Sequence, residues 1–291
     1  MSAIEPFCFL IVALYVVVRA WPRDERRAVL LRLGLLALAA WIGELSCVRL
    51  YGFYRYTLPS EGGPWRLWLD VVPLVVVLTW PVVIHSAWEL ARSMATRSSQ
   101  ARVVLLCALT VLADASLIEP IAVAVGLWTW SVPGPFSVPP VGVLGWGLFA
   151  ALAALGLEAL ERARIEGSTP WRGALLLIGA GLAVHVLLLA VWWGGLRYAP
   201  APSEALALAL VGLLSLVALA LLARGPRADR AALWRRAPGA CFFFCLLAWG
   251  VRSPWLWAWA GALALPYLVI AIRASSEPNE PVAQEPLPDE A

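Results

Sequence analysis

Hydrophobic residues in this chain form long runs that are separated by short polar connections. Most runs have about 20 residues, the length that an α-helix needs to cross the hydrocarbon core of a bilayer. We predict membrane-spanning helices at 6–20, 29–49, 71–91, 103–126, 139–160, 173–196 and 204–223. Another apolar region, 238–272, is interrupted at Arg252 and Pro254, so it contains either two short spans or one span and a re-entrant segment.

Composition supports an integral membrane protein. The 291 residues are 62% hydrophobic and 14% charged, whereas soluble domains have a charged fraction of about 25%. The predicted fold is an all-α, polytopic transmembrane helix bundle with eight or nine spans. Residues 1–273 form a single transmembrane domain whose motif-bearing core is 44–146, and the Pro- and Glu-rich tail 274–291 is disordered. The net charge of +3 gives no indication of nucleic-acid binding.

The arginines predict the orientation of the spans. Connections after the first, third, fifth and seventh spans carry 16 arginines, and the intervening connections carry 5. Because cytoplasmic loops are enriched in basic residues, we expect a multi-pass protein of the cell (inner) membrane with its N-terminus outside. With nine spans, the C-terminal tail lies in the cytoplasm.

Three acidic residues lie within or beside these apolar runs. Asp114 and Glu119 belong to the same span, and Glu44 lies near the predicted outer end of the second span. An ionised carboxylate in hydrocarbon costs at least a few kcal/mol, so such residues usually serve a function. On a straight helix Asp114 and Glu119 point about 140° apart. Pro120 should kink the helix next to Glu119, so either the angle narrows or each acid meets a different neighbour, such as Glu44. We predict that all three acids are catalytic, with pairing to Arg49, to tyrosines or to the backbone as the structural alternative.

Aromatic residues are concentrated at the predicted outer ends of the same spans. They either anchor the protein at the membrane interface or face an apolar substrate and stabilise a cation. The predicted substrate-binding residues are Tyr51, Tyr54, Tyr56, Trp80, Trp128, Trp130 and Trp146. His85 and His185 each stand alone in an apolar stretch, so we expect no bound metal ion. Two further glutamates, Glu89 and Glu158, should form exposed pairs with arginines one helical turn later.

Several short motifs occur in a fixed order between residues 44 and 146. They are the Glu44 carboxylate, the aromatic group Tyr51, Gly52, Tyr54 and Tyr56, the pair Val72 and Pro73 followed by Trp80, the acids Asp114 and Glu119 before Pro120, the group Gly126, Trp128 and Trp130, and the group Val138, Pro139, Gly145 and Trp146. In this order the chain resembles the membrane carotenoid-biosynthesis family that includes carotenoid 1,2-hydratases acting on gamma-carotene and bisanhydrobacterioruberin ends. Two positions differ: the family commonly has Asp at Glu119 and Asn at Gly142.

The resemblance implies a cofactor-independent hydro-lyase that adds water to a terminal double bond of an acyclic carotenoid. Its expected partners are the membrane-embedded isoprenoid substrate, the lipid bilayer and other enzymes of the same pathway. Such a reaction needs a neutral acid, an orienting carboxylate and aromatic rings near the cation. We assign proton donation to Asp114, guidance of water to Glu119, and lining of the cation to Tyr54, Trp128 and Trp130.

Two other function classes fit the same residues. A carotenoid or isoprenoid cyclase would use the same acids and aromatic rings. A membrane transporter or carrier of a lipid or carotenoid would use Asp114 and Glu119 as a proton relay, and such proteins commonly show inverted repeats and paired broken helices. The sequence shows one clear helix break, at Pro120, and no internal repeat.

Overall fold

The computed structural model describes residues 3–95, 99–132, 134–225 and 227–275, and most of them are helical. The helices are α1 Ile4–Ala20, α2 Arg26–Ser46, α3 Leu74–Met94, α4 Gln100–Ala124, α5 Pro140–Glu166, α6 Trp171–Gly194, α7 Glu204–Arg224, α8 Arg230–Trp234, α9 Ala237–Gly250 and α10 Pro254–Ser275. Four short strands are β1 Tyr54–Tyr56, β2 Trp68–Leu69, β3 Val72–Pro73 and β4 Trp128–Trp130. A π-helical turn, Cys47–Tyr51, extends α2.

The predicted polytopic helix bundle is confirmed. Within the described ranges, eight helical segments are long and apolar enough to cross a membrane, and α1 adds a shorter apolar helix of 17 residues. The interrupted region 238–272 forms two helices, α9 with 14 residues and α10 with 22. From residue 276 onward, the predicted disordered tail lies outside the described residues.

Small residues allow the central helices to approach closely. A Cβ atom placed on Gly181 of α6 would lie 2.3 Å from the carbonyl oxygen of Ala39 on α2. Helices in membranes commonly pack through such small residues, because the backbones can then make extensive van der Waals contact. Gly43 faces Gly181 across the same contact. This packing fixes the position of α2 at Gly43, and the following residue, Glu44, extends into the functional site.

The two ends of the bundle differ in chemistry. At one end, the connection between α2 and α3 pairs with the connection between α4 and α5 through β1 and β4. At the opposite end, arginines and glutamates from separate helices form ion pairs, including Arg32 with Glu161 and Arg92 with both Glu158 and Glu161. The arginine-rich end is the one that the sequence assigns to the cytoplasm.

The prediction of exposed glutamate pairs within single helices is wrong. Glu89 contacts Arg19 at 2.5 Å and Arg235 at 3.1 Å, and its side chain is 12% exposed. Glu158 accepts a hydrogen bond from the indole nitrogen of Trp88 at 2.7 Å. Neighbouring helices supply these partners, so the nearest arginine in sequence is not the nearest in space.

Candidate active site: two glutamates in an aromatic cage

Two glycines redirect the chain from helices into a small antiparallel sheet. Gly52 follows the π-helical turn with φ of 58°, and Gly126 follows α4 with φ of 76°. Both values lie in the left-handed region, which glycine adopts without the steric cost that a Cβ atom would impose. Strands β1 and β4 begin just after these two turns. The pairing of these strands therefore depends on a glycine at the end of each helix.

The strand pairing brings four aromatic rings together. Its register places Tyr54 opposite Trp130 and Tyr56 opposite Trp128. Because alternate residues of a strand share a face, the four rings lie on one side, while Arg55 on the other face is exposed. The ring centroids are 4.7 Å apart for Tyr54 and Trp130 and 6.0 Å apart for Tyr56 and Trp128.

Glu119 receives three hydrogen bonds, all of them from indole nitrogens. Trp128 and Trp130 donate to Oε2 at 2.8 and 2.9 Å, and Trp146 of α5 donates to Oε1 at 2.8 Å. The residue is only 3% exposed. No arginine contributes to this set of donors, so the carboxyl group is solvated by neutral dipoles.

Glu44 has a corresponding set of three neutral donors. The hydroxyl groups of Tyr54 and Tyr56 donate to Oε2, the latter at 2.7 Å, and the indole nitrogen of Trp80 donates to Oε1 at 2.7 Å. The rings of Trp80 and Trp146 are in contact, with centroids 4.1 Å apart. The Oε1 atoms of Glu44 and Glu119 are therefore bonded to neighbouring indoles.

We call this group the two-glutamate cage, and it surrounds a cavity of about 130 Å³. Its members are Glu44, Glu119, Tyr54, Tyr56, Trp80, Trp128, Trp130 and Trp146. A carboxylate offers about four acceptor positions, and three are used on each glutamate, which leaves one on each Oε1. A single water needs about 10–15 Å³. The cavity therefore has room for water and for a small apolar group beside two partly free carboxyl oxygens.

The two tyrosines remain hydrogen-bond donors at neutral pH. Burial, together with the charge of the neighbouring Glu44, raises the pKa of Tyr54 and Tyr56 well above the usual value for a phenol. Removing either proton would place a second negative charge beside Glu44 in an apolar environment, which is costly. Both hydroxyls therefore stay available to hold the carboxyl group in place.

Gly142 makes room for one of the cage indoles. A Cβ atom on Gly142 would lie 2.5 Å from Cη2 and 2.6 Å from Cζ2 of Trp130, well inside van der Waals contact. The Trp130 ring thus occupies the space that a side chain at this position would need. The family commonly has Asn at this position. Here the glycine leaves room for the Trp130 ring, whose indole nitrogen donates to Glu119.

Asp114 lies outside this cavity, although α4 carries both it and Glu119. Its carboxylate forms an ion pair with Arg236, and Tyr267 of α10 donates a hydrogen bond to Oδ1 at 2.8 Å. Arg236 also donates to the hydroxyl oxygen of Ser86 at 2.7 Å. The sequence did not indicate Arg236 as a partner, because 122 residues separate it from Asp114.

The remaining candidates are also outside the cage. Tyr51 stacks on Phe53, with centroids 5.4 Å apart, and contacts the ring of His185 at 5.3 Å. His85 is fully buried, and its Nδ1 is 2.8 Å from the hydroxyl of Tyr15. Among the described residues, no group of three or more His, Cys, Asp and Glu side chains could hold a metal ion.

Eight of the ten predicted residues line the cavity, and they come from six elements: α2, α3, α4, α5, β1 and β4. Those that line it are Glu44, Glu119, Tyr54, Tyr56, Trp80, Trp128, Trp130 and Trp146, whereas Asp114 and Tyr51 do not. Sequence reasoning missed the apolar part of the wall. Thr79, Ile118 and Phe243 contribute there, and nothing in their sequence context distinguishes them from lipid-facing residues.

Comparison with known proteins identifies one protein family, and its match includes all of the cage residues. The chain has no significant match among curated proteins or among solved structures. The family model described as "Carotenoid biosynthesis protein" matches residues 4–219, which extends well beyond the motifs at 44–146 and ends within α7. Since this match covers most of the sequence, the chain belongs to the carotenoid biosynthesis protein family.

Proposed function

We propose that the protein is a carotenoid hydratase, which adds water to a terminal trisubstituted double bond of an acyclic carotenoid end. The observation that supports this proposal most directly is the two-glutamate cage. It combines two carboxyl groups, each held by three neutral donors, with a ring of aromatic faces around one small cavity. Protonation of an alkene and capture of the resulting cation by water need this combination and no redox step.

Glu119 is the proposed proton donor and Glu44 the proposed base. Two carboxyl groups that share an apolar cavity do not both ionise readily, because the charges repel each other and lack solvation. Glu44 accepts from two phenol hydroxyls and one indole, whereas Glu119 accepts from three indoles. A phenol is the stronger acid and therefore the stronger hydrogen-bond donor, so the negative charge is better stabilised on Glu44.

The reaction then balances within the cage. Glu119 transfers its proton to the less substituted alkene carbon, and the π electrons form the new C–H bond, which leaves a tertiary cation. The faces of Trp80 and Trp146 stabilise that cation. A water molecule forms the C–O bond, and Glu44 accepts the proton that this water releases. Transfer of that proton back to Glu119 through water restores the starting state, with one water consumed.

This proposal assigns Asp114 a different role from the one that the sequence suggested. Asp114 is ion-paired with Arg236 and does not line the cage cavity. Its two carboxyl oxygens are engaged by Arg236 and Tyr267 away from the cage, so Asp114 is not placed to protonate an alkene there. Asp114 is therefore proposed to hold α4 against the last two helices rather than to take part in the reaction.

Pigment analysis in a host that accumulates lycopene tests the proposed reaction. Expression of the chain should yield a product that is heavier by one water molecule, and oxygen-labelled water should transfer its label to that product. Glu119→Gln should abolish this product. The matched control is Glu166→Gln, which changes an exposed glutamate at the C-terminal end of α5. A product of unchanged mass and altered spectrum would instead support a cyclase, and unchanged pigments with bound lycopene would support a carrier.

The cage is proposed to lie at the outer side of the cell membrane. The arginine distribution supports this orientation, because β1 and β4 lie at the arginine-poor end. In a cysteine-free background, Ser60→Cys between α2 and α3 should react with an impermeant thiol reagent in intact cells, and Ser168→Cys between α5 and α6 should not. The reverse labelling pattern would invert the orientation.

A further inference from the structure

A second cavity lies beside the cage and extends toward the arginine-rich end of the bundle. It has a volume of about 350 Å³ and is bounded by α1, α3, α4, α8, α9 and α10. Most of its wall is apolar, with Ile11, Leu117, Phe244 and Leu263 as examples. The cage itself is too small to enclose a whole carotenoid, so the position of this larger space is important.

The two cavities share part of their walls. Thr79 and Val83 of α3, Ile118 of α4 and Phe243 of α9 line both of them. The two cavities are therefore adjacent, with these four side chains between them. Of the acidic residues discussed above, only Asp114 lines the second cavity, and the cage glutamates do not.

The second cavity is elongated. Its lining residues on α10 run from Leu263 to Ala274, which corresponds to about 16 Å along a helix that rises 1.5 Å per residue. Four polar groups of the wall are bonded to one another: Arg236 contacts Asp114 and Ser86, and Tyr267 contacts Asp114. An extended apolar chain can therefore pass this cluster without leaving one of these four groups unpaired.

We propose that the second cavity is the binding site for the extended chain of the substrate whose terminal double bond lies in the cage. This inference rests on the proposed function for the identity of the chain, which is a linear polyene. It adds a specificity site: α9 and α10 select long, straight substrates, and the four shared residues form the passage between the chain site and the reaction site.

Gly239 of α9 offers a direct way to block the chain site. It lines the second cavity, and an added Cβ atom would have no atom within 4 Å. Gly239→Leu should therefore fill space without displacing the backbone. Gly212→Leu is the matched control, because Gly212 is a helical glycine of α7 with equally open surroundings and lines neither cavity.

The experiment measures lycopene retained by purified protein and lycopene converted in cells. Retention is measured in the Glu119→Gln background, which holds substrate without converting it. We expect Gly239→Leu to lower both retention and conversion at least tenfold, with Gly212→Leu unchanged in both. If Gly239→Leu does not accumulate as folded protein, Ala264→Leu fills the same cavity from α10 and should give the same result.

The two arms separate this inference from the proposed reaction. One possible result is that the Glu119→Gln parent retains lycopene, that Gly239→Leu lowers this retention, and that the unsubstituted chain forms no hydrated product. This result would refute hydration but support the chain site. Equal retention by the Gly239→Leu and Gly212→Leu variants, or no retention by the parent, would overturn the chain site, even if hydrated product forms.

Discussion

Two groups of buried polar residues solve the same physical problem in different ways: the two-glutamate cage and the Asp114 cluster, which consists of Asp114, Arg236, Ser86 and Tyr267. Each places carboxyl groups in an apolar bundle, where an unpaired charge is costly. The cage surrounds Glu44 and Glu119 with neutral donors only, whereas Asp114 has the guanidinium of Arg236 as its direct partner. Neutral donors hold a carboxyl group in place but let it gain and lose a proton. The ion pair of Asp114 with Arg236 instead joins α4 to the chain just before α9, and we propose a structural role for it.

The largest difference between the regions should appear in activity after Glu119→Gln. The amide keeps the shape of the side chain, and its oxygen can still accept the two hydrogen bonds from Trp128 and Trp130, but it cannot donate a proton to an alkene. General acid catalysis contributes about 100- to 10,000-fold, so conversion of lycopene should fall by about that factor at unchanged protein yield. Product formation is measured per purified protein, with Glu166→Gln as the control. Near-normal turnover in Glu119→Gln would exclude Glu119 as the acid.

The cage and the Asp114 cluster also differ in how much of each was predictable. Hydropathy located the spans, and the outer-end positions of Glu44 and Glu119 followed from span order and the arginine count. Those signals are local. Arg236, the ion-pair partner of Asp114, comes from the connection between α8 and α9, and its position depends on how the last helices pack. Sequence spacing within α4 alone made Asp114 and Glu119 look equivalent, while their neighbours on other helices make them different.

The second largest effect should appear in stability after Asp114→Asn. This change leaves Arg236 buried without its counter-charge, and breaking a buried ion pair in this way costs about 3–5 kcal/mol. Thermal unfolding in detergent should therefore occur at a lower temperature, while turnover of the protein that remains folded changes little at saturating lycopene, where weaker binding in the second cavity has no effect.

A double variant tests whether the loss comes from the unpaired charge. Adding Arg236→Gln to Asp114→Asn removes the uncompensated guanidinium and should recover part of the stability, as expected for residues in direct contact. If Asp114→Asn abolishes turnover at normal stability, Asp114 takes part in the reaction and the comparison drawn above fails.

A smaller effect is expected from Gly142→Asn, which restores the residue type that the family commonly has. The new side chain would overlap the Trp130 ring and displace its indole nitrogen from Glu119. Loss of one hydrogen bond to a carboxyl group is worth about 1.5–3 kcal/mol, so conversion should fall by roughly ten- to 150-fold. Activity is compared with that of Trp130→Phe, which keeps a ring but lacks the donor.

Non-additivity distinguishes this mechanism from general disruption of α5. If Gly142→Asn acts through Trp130, the double variant Gly142→Asn with Trp130→Phe should lose little more than either single variant. A fully additive loss would show that Gly142 affects turnover by a route that does not involve the Trp130 hydrogen bond.

The smallest effect is expected at the exposed ion pair outside the cage. Glu61 accepts from the Arg55 guanidinium at 2.7 Å and from the backbone nitrogen of Leu58 at 3.1 Å, and these bonds lower the pKa of Glu61. A lowered pKa in the folded state means that the contribution to stability is present above the unfolded value of about 4.3 and disappears as pH falls through the folded value. Because exposed pairs contribute little, Glu61→Gln should change lycopene conversion by less than about twofold at neutral pH. Proteolysis of the connection between α2 and α3 should be slightly faster in Glu61→Gln than in the unsubstituted chain at neutral pH. Below the pKa of Glu61 in the folded state, the two rates should be equal. A large loss of lycopene conversion in Glu61→Gln would show instead that this pair helps to hold Tyr54 and Tyr56 against Glu44.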